Sequence, residues 1–321
     1  MDTNTIKTKI KESYGEIARA NTATGCCTDT ACCESGETGA SMGESYAGID
    51  GYQKDADLSL GCGLPTEIAG IRAGDTVIDL GSGAGNDAFI ARRIVGETGR
   101  VIGIDMTPEM VIRALQNNQK LGFQNVEFLL GDIEDMRQIA GETADVVVSN
   151  CVLNLVPDKE KAFGEVYRIL KNGGHFSISD IVYAGSLPEE ILAAAEMYAG
   201  CVSGASEKGA YLGIIKSAGF KNIQVKKERR IDLPDDLLLN HLTAKQLDEF
   251  KKSGSGIYSI TVYADKLNDG ICCEANAGTC CGSETDVSTE KSSCCGTSSD
   301  TETRNFSIST KRKAKRSEKS A

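Results

Sequence analysis

From Asp75 onward the chain alternates short apolar runs with longer amphipathic stretches. The runs TVIDLG, VIGID, VEFLL, ADVVVSN and HFSISDIV are rich in β-branched residues and predict buried strands. Apolar positions at helical spacing lie between them in GNDAFIARRIV, TPEMVIRALQNNQKLG and DKEKAFGEVYRILKNGG. Strands that alternate with helices of this length are typical of a parallel, doubly wound α/β sheet, so we predict that fold class.

One of these helices carries capping signals at both ends. Thr107 followed by Pro108 and Glu109 is a favourable helix start, and Gly122 is a favourable helix end. The helix is therefore predicted to lie between Thr107 and Gly122.

The same pattern divides the chain into four segments. Residues 1–65 predict an N-terminal helix and a cysteine-bearing loop region, and residues 66–182 form the α/β core. Residues 183–268 predict a smaller C-terminal α+β section that closes with IYSITVYADK. Residues 269–321 are rich in Gly, Ser, Thr and Glu, contain cysteine pairs and end in a basic stretch. This tail has too few large apolar residues to bury, so we expect it to be disordered.

Charge and hydropathy exclude several functional classes. The 321 residues include 35 Lys and Arg against 46 Asp and Glu, a net charge of −11. Because contacts to phosphate need a basic surface, we expect no nucleic-acid partner. The polar N-terminus has no signal-peptide core, and no apolar run approaches the ~18 residues of a membrane span. We therefore expect a cytoplasmic protein with no membrane partner.

Cysteine is the most unusual feature of the composition, with thirteen residues against two histidines. Ten cysteines form adjacent pairs, whose Cα atoms lie only ~3.8 Å apart, below the ~4.4 Å at which ordinary disulfides begin. The usual Cys and His patterns of zinc sites are missing. Reduced thiols that act as ligands of a soft ion are the better interpretation.

A candidate cofactor site follows the first predicted strand. Gly81-Ser82-Gly83-Ala84-Gly85 would let the backbone pass close to a ligand, although a dinucleotide-binding fingerprint would have glycine where Asn86 stands. Asp105 ends the second strand, where a carboxylate can accept hydrogen bonds from ribose hydroxyls, and Asp132 follows the third. The alternative is that each acid only caps the next helix.

These residues resemble the class I S-adenosylmethionine-dependent methyltransferases over about residues 66–182. The resemblance implies a Rossmann-like sheet with S-adenosyl-L-methionine as cofactor. It implies that the glycine loop passes the methionine moiety, that Asp105 holds the ribose and that Asp132 lies by the adenine. The full set of implied cofactor residues is Asp79, Gly81, Ser82, Gly83, Gly85, Asp105, Met106, Asp132, Ile133 and Asn150.

Three single cysteines lie where loops should converge over that cofactor. Cys62 lies in LGCGLP before the sheet, Cys151 follows the fourth strand, and Cys201 lies in MYAGCVSG beyond the fifth. Ligands of open α/β sheets bind at the carboxyl ends of the strands, which places Cys151 beside the donor methyl group. Any one of them could instead be a small buried apolar residue, but the set favours a thiol site.

LGCG, SNCVLNLVPDKE and AGCVSGA are similar to motifs of the arsenite methyltransferases, and this resemblance covers about residues 10–265. It implies that Cys151 and Cys201 hold trivalent arsenic, while Cys62 and an N-terminal cysteine exchange ligands or form a disulfide during turnover. Cys33 is the best match for that N-terminal cysteine, and Cys32 the next. Trivalent arsenic or its glutathione conjugate is then the substrate, with thioredoxin or glutathione as reductant.

Elementary chemistry agrees with this resemblance. Thiolates are soft ligands and select thiophilic centres such as trivalent arsenic, which keeps a lone pair when three ligands hold it. That lone pair can attack a sulfonium methyl group without first losing a proton. The site therefore needs no general base, which suits a chain with only two histidines.

Two alternatives from the sequence have different requirements. A methyltransferase of quinone-like small molecules would share the core but would have no need of three cysteines at the cleft. A thiol-rich metalloid-binding protein on a retired methyltransferase fold would have no need of the intact glycine loop and Asp105. The cysteine pairs of the tail either capture arsenic for the core or form a non-catalytic thiol tail.

Overall fold

The computed structural model describes residues 2–19, 44–187, 191, 202 and 204–267. The predicted tail lies outside them. The helices of the described residues are α1 (Thr3–Arg19), α2 (Pro65–Ile68), α3 (Asn86–Val95), α4 (Pro108–Leu121), α5 (Lys159–Ile169), α6 (Lys208–Ser217), α7 (Asp235–Leu239) and α8 (Ala244–Lys252), with a 3₁₀ turn at Leu153–Leu155. The strands are β1 (Thr76–Leu80), β2 (Arg100–Asp105), β3 (Val126–Leu130), β4 (Ala144–Asn150), β5 (Leu170–Ala184), β6 (Ser206–Glu207), β7 (Lys221–Ile231) and β8 (Gly256–Asp265).

Within the described part of the chain, the strands form one eight-stranded sheet. Seven follow the order β3-β2-β1-β4-β5-β8-β7, and β6 pairs with β5 outside this path. Strands β1 to β5 are parallel to one another, and β8 pairs antiparallel with both β5 and β7. The strand order reverses at β1 and β4, where the predicted glycine loop and Cys151 lie. The predicted doubly wound α/β fold is confirmed.

Alternate residues of the central strands supply the two faces of the sheet. Val77 of β1 packs in an apolar cluster with α3 and α4, whereas Ile78 and Leu80 pack in a second cluster with α5 and α6. This alternation is the ordinary period of a strand covered on both faces. Asp79, between the two apolar residues, is buried near the carboxyl end of β1.

The predicted ends of α4 are correct: Pro108 is its first residue and Gly122 caps its C-terminus with a left-handed backbone. One predicted boundary differs. The pattern extends the third helix through KNGG, whereas α5 ends at Ile169 and β5 begins at Leu170. Gly173 N–H donates to Lys266 C=O, and Lys266 N–H donates to Gly174 C=O. Pairing with the end of β8 therefore overrides the local helical pattern.

The C-terminal section extends the same sheet. β5 continues to Ala184, and its pairing with β8 runs from His175↔Asp265 to Ala184↔Gly256. The final strand predicted from IYSITVYADK therefore lies inside the sheet, between β5 and β7. No helix of the described residues combines the length and the apolar character that a membrane crossing requires.

Candidate functional site

A cleft of about 1080 Å³, including its open mouth, lies at the carboxyl ends of β1, β2, β3 and β4. It is the crevice at the switch point of the strand order, where ligands of open α/β sheets bind. Its walls include every predicted cofactor residue except Gly85. They comprise Asp79, Gly81, Ser82, Gly83, Asp105, Met106, Asp132, Ile133 and Asn150. Cys151 also lines it.

The glycine loop between β1 and α3 depends on the absence of side chains. Gly81, Gly83 and Gly85 all have positive φ, at +65°, +51° and +99°. A Cβ atom on Gly81 would lie 2.4 Å from Val152, and one on Gly85 would lie 2.8 Å from the rings of Phe89 and Phe128. The loop therefore packs tightly on the strand ends and leads directly into the N-terminus of α3.

Asp105 braces this loop from the end of β2. Its carboxylate accepts hydrogen bonds from the Gly83 N–H at 2.9 Å and from the Thr107 N–H at 2.8 Å. Burial raises the pKa of Asp105, although both of these bonds favour its charged form. The carboxylate thus fixes the loop in the cleft and retains lone pairs for a ligand.

Asp79 and Asp87 add two buried carboxyl groups. Burial raises the pKa of Asp79 well above its usual range, and the charges of Asp87 and Asp105 raise it further. Burial also raises the pKa of Asp87 to about 6, against hydrogen bonds from Tyr46 and Asn150 that favour the charged form. Because these acids lie close together, a ligand that carries positive charge would stabilise them.

Three buried polar atoms of the cleft residues lack a hydrogen-bond partner among the described residues. They are Asp79 Oδ2, Ser82 Oγ and Asn86 Oδ1. Buried polar groups are almost always satisfied in native proteins, so these atoms indicate a ligand rich in hydrogen-bond donors.

Helix α1 closes one side of the cleft, where it contributes Lys7, Ile10 and Tyr14. Lys7 Nζ lies 2.6 Å from an Asp132 carboxylate oxygen and 2.5 Å from a Glu134 carboxylate oxygen. Asp132 therefore borders the cleft and also anchors α1. No spacing in the sequence links Lys7 to residues more than a hundred positions away, so this contact could not be predicted.

The side chain of Asn150 contacts the loop that carries Cys62. Its Oδ1 accepts hydrogen bonds from the N–H groups of Cys62 at 2.9 Å and Gly63 at 3.2 Å. Its Nδ2 donates to the Gly63 carbonyl at 2.8 Å. A Cβ on Gly61 would lie 2.7 Å from Asn150, and one on Gly63 would lie 2.5 Å from Ser179. The glycines of LGCG thus allow the loop to lie directly on the strand ends.

Cys62 and Cys151 are buried in one apolar cluster with Ile181, Ile231 and Ile257, and the cluster also contains Val202. The Cys62 carbonyl accepts a hydrogen bond from Ser259 Oγ at 2.7 Å. Two of the predicted thiols therefore lie together beside the cleft. Cys33 and Cys201 lie outside the described residues, but Val202, the residue after Cys201, packs in this cluster.

Cys151 has an unusual backbone conformation, with φ at +61°. Its N–H donates to the Ser179 carbonyl at 2.8 Å, across the β4–β5 pair. Left-handed backbone costs a non-glycine residue on the order of 1 kcal/mol. Such strain is often found at functional positions, and here a cysteine stands where glycine would be easiest to accommodate.

Tyr46 and Asp87 both line the cleft, although neither is among the site residues predicted from the sequence. The Tyr46 hydroxyl donates to Asp87 Oδ2 at 2.8 Å and accepts a hydrogen bond from Asn150 Nδ2. Asp87 in the first turn of α3 could have been identified as a cleft residue from its place after the glycine loop. Tyr46 lies in a region without regular structure and had no such signal.

Comparison with known proteins agrees with this architecture. Residues 71–219 match a family model described as a methyltransferase domain. The chain is 39% identical over 235 residues to the arsenite methyltransferase of Halobacterium salinarum, an alignment covering 70% of this chain and 59% of that protein. It is 43% identical over 155 residues to the arsenite methyltransferase of Mus musculus, covering 45% of this chain and 40% of that protein.

Among solved structures, an arsenic(III) S-adenosylmethionine methyltransferase from Chlamydomonas reinhardtii is 32% identical, with a TM-score of 0.54. The match covers 65% of this chain and 68% of that one. The sheet order, the glycine loop and the family match define a class I methyltransferase, a class whose cofactor is S-adenosylmethionine. Within that class, the chain belongs to the arsenite methyltransferase family. It spans about two fifths to three fifths of the length of the two curated relatives described above.

Proposed function

We propose that this chain transfers methyl groups from S-adenosylmethionine to trivalent arsenic, first arsenite and then methylarsenite, held by cysteine thiolates. One observation carries the proposal: Cys151 lines the same cleft as Asp79 and Asp105 and packs in one cluster with Cys62. The named activity of the relatives in Halobacterium salinarum and Mus musculus supports it. Such a reaction would serve arsenic detoxification.

The residues of the cleft fit this cofactor. Its walls contain six acidic residues, and Lys7 is the one basic residue among the described residues that line it. S-adenosylmethionine carries positive charge at its sulfur and at its amino group. These charges complement the acidic residues of the cleft, and its N–H and O–H groups can donate to the buried oxygens that have no partner among the described residues. We assign the methionine end to Asp79 and the glycine loop, the ribose to Asp105, and the adenine to Asp132, Met106 and Ile133.

Bound S-adenosylmethionine supplies a methyl group on a positively charged sulfur atom. The chain's own contribution is to bind and orient the arsenic. We propose that Cys62, Cys151 and Cys201 supply its thiolates, with Cys33 as an exchange partner. The apolar residues around Cys62 and Cys151 exclude water, which leaves the arsenic lone pair as the nucleophile. Alignment of this kind can contribute ~7 kcal/mol or more to the lowering of the barrier.

We further propose that thioredoxin or glutathione restores the thiols, that the glutathione conjugate of arsenic can act as substrate, and that the chain acts in the cytoplasm. Cysteine side chains bind soft ions as deprotonated thiolates, so the affinity for arsenic should weaken at low pH.

The test combines the full chain with S-adenosylmethionine, glutathione and arsenite, and separates arsenic species by chromatography with elemental detection. Methylated arsenic should appear and should be abolished in Cys151→Ser and Cys201→Ser, with cofactor affinity retained. Ser149→Ala is the matched control because Ser149 is buried on β4 but bonds the Leu80 carbonyl instead. Cofactor binding without methylated arsenic in the wild-type protein would contradict the proposal.

A further inference from the structure

Asn150 joins two parts of the site. One edge of its amide bonds the Cys62 loop, through Cys62 N–H, Gly63 N–H and the Gly63 carbonyl. The same amide also contacts the wall of the cleft. Its Nδ2 lies 3.2 Å from Oδ2 of Asp87, in the first turn of α3, and donates to the Tyr46 hydroxyl. The side chain is thus a bridge between the thiol loop and the wall of the cofactor cleft.

The surroundings fix the orientation of this amide. Backbone N–H groups can only donate, so Oδ1 must face Cys62 and Gly63. The Gly63 carbonyl can only accept, so Nδ2 must face it. The Tyr46 hydroxyl donates its proton to Asp87, which leaves its oxygen as an acceptor for Nδ2. A flipped amide would set Nδ2 against two N–H groups and Oδ1 against a carbonyl, so these partners fix its orientation.

The loop is also held from its opposite side. Ser259 Oγ donates to the Cys62 carbonyl, so the N–H and C=O groups of Cys62 are both bonded to side chains of the sheet. Cys62 itself has no exposed surface. The backbone of Cys62 is therefore held at both its N–H and its C=O, and Asn150 is the contact that also borders the cleft.

We propose that Asn150 is a positioning residue that fixes the Cys62 thiol at the strand ends and links its placement to the cofactor cleft, rather than a direct ligand of the cofactor. Its importance for arsenic chemistry rests on the proposed function. The placement of Cys62 does not, so it can be measured without arsenic or turnover.

Alkylation of individual cysteines in the full chain by iodoacetamide, followed by peptide mass spectrometry, tests the placement. Asn150→Ala should accelerate alkylation of Cys62 by about tenfold, as expected when one or two hydrogen bonds hold the loop closed. Alkylation of Cys151 and the calorimetric affinity for S-adenosylmethionine should change by less than about threefold. Ser149→Ala, the matched control on β4, should leave the Cys62 rate unchanged.

The opposite pattern would overturn the inference. If Asn150 binds the cofactor directly, Asn150→Ala should lower cofactor affinity strongly and leave the Cys62 rate at its wild-type value. Equal acceleration of Cys62 and Cys151 would also overturn it, because this indicates general opening of the fold. Failure of wild-type arsenic methylation contradicts the proposed function alone and leaves these two readouts intact.

A second pair of measurements covers the case in which Asn150→Ala folds poorly. Asn150→Asp has nearly the same volume and keeps an acceptor for the Cys62 and Gly63 N–H groups. It loses the Nδ2 donor that faces the Gly63 carbonyl, Asp87 and the Tyr46 hydroxyl. It should also accelerate Cys62 alkylation, and a wild-type rate would contradict the inference. In dialysis measurements of arsenic binding, the losses of affinity caused by Asn150→Ala and by Cys62→Ser should not be additive, because Asn150 acts by positioning Cys62.

Discussion

At the scale of single residues, Cys151 shows how local strain and chemistry coincide. The residue is almost completely buried and has a left-handed backbone. Glycine would adopt this conformation without cost, yet it has no thiol. A cysteine at this position is therefore easier to explain by its sulfur than by packing alone.

Substitution of Cys151 should separate strain from chemistry. In the middle of a helix or strand, glycine lowers the stability of the protein by roughly 0.5–1 kcal/mol relative to alanine. At the positive φ of Cys151 this order should be reversed. Cys151→Gly is expected to be about 1 kcal/mol more stable than Cys151→Ala in urea unfolding, while neither methylates arsenite. A glycine variant clearly less stable than the alanine variant would show that the backbone at Cys151 is not strained.

The acidic residues of the cleft predict that cofactor binding is linked to proton release. A cationic ligand favours the charged forms of Asp79 and Asp87, whose pKa values are raised in its absence, the latter to about 6. S-adenosylmethionine should therefore bind more weakly at pH 5.5 than at pH 8 and should release protons near pH 6. Calorimetry in buffers of different ionisation enthalpy measures this release.

Asp79→Asn provides the control for that measurement. It should release fewer protons and bind the cofactor more weakly, because its buried side chain can no longer become negative. Equal cofactor affinity at the two pH values in the wild-type protein would contradict the predicted linkage.

At the scale of elements, α1 contributes more to the site than its pattern indicates. Its apolar positions predict an amphipathic helix, and Tyr14 and Ile17 do pack on the core. A polar residue of the helix fixes it to the cleft: Lys7 donates hydrogen bonds to Asp132 and Glu134. The helix is therefore placed as a wall over the cofactor site.

Lys7→Ala should loosen this wall. Loss of two charge-assisted hydrogen bonds at a partly buried position should weaken S-adenosylmethionine binding by about threefold to tenfold. Lys9→Ala is the matched control, since Lys9 is exposed on the same helix. Dissociation rates from stopped-flow binding measure the effect. Equal rates in the two variants would exclude a role for the Lys7 contacts.

Elements built from local pattern were predictable, whereas contacts distant in sequence were not. The strands β1 to β4 and helices α3 and α4 follow their predicted bounds closely, because their apolar period and caps are local. The start of β5 was not predictable, since Gly173 and Gly174 are paired with Lys266, which is distant in sequence. The contacts of Lys7 and Asn150 were not predictable either, because their partners are also distant in sequence. The glycine loop and Cys151 were predictable because strand ends converge at the switch point.

At the scale of the whole molecule, buried acids shape the pH dependence of stability. Asp180 on β5 is fully buried, accepts a hydrogen bond from the Tyr211 hydroxyl at 3.0 Å, and has its pKa raised by burial to about 7. The folded value lies above the ordinary value of 3.8, so the folded state binds this proton more tightly. The resulting stability is complete below about pH 4 and is lost as pH rises through 7.

Replacement of this acid should flatten that dependence. Between pH 5 and pH 8 the free energy of unfolding of the wild-type chain should fall on the order of 2 kcal/mol more than that of Asp180→Asn. Urea unfolding at several pH values measures it. Asp248→Asn, at an exposed position on α8, is the control and should follow the wild type. Identical pH profiles for wild type and Asp180→Asn would contradict this role of Asp180.

The bond from Ser259 to the Cys62 carbonyl has a consequence for how the protein is made. The two residues are 197 positions apart, and Ser259 belongs to β8, close to the end of the described residues. A ribosome completes the glycine loop and all of β1 to β4 well before Ser259 is synthesised. A growing chain can therefore assemble its cofactor cleft early, but Cys62 reaches its final position only after β8 has entered the sheet. Synthesis thus orders the two parts of the site, with the glycine loop first and the Cys62 loop last.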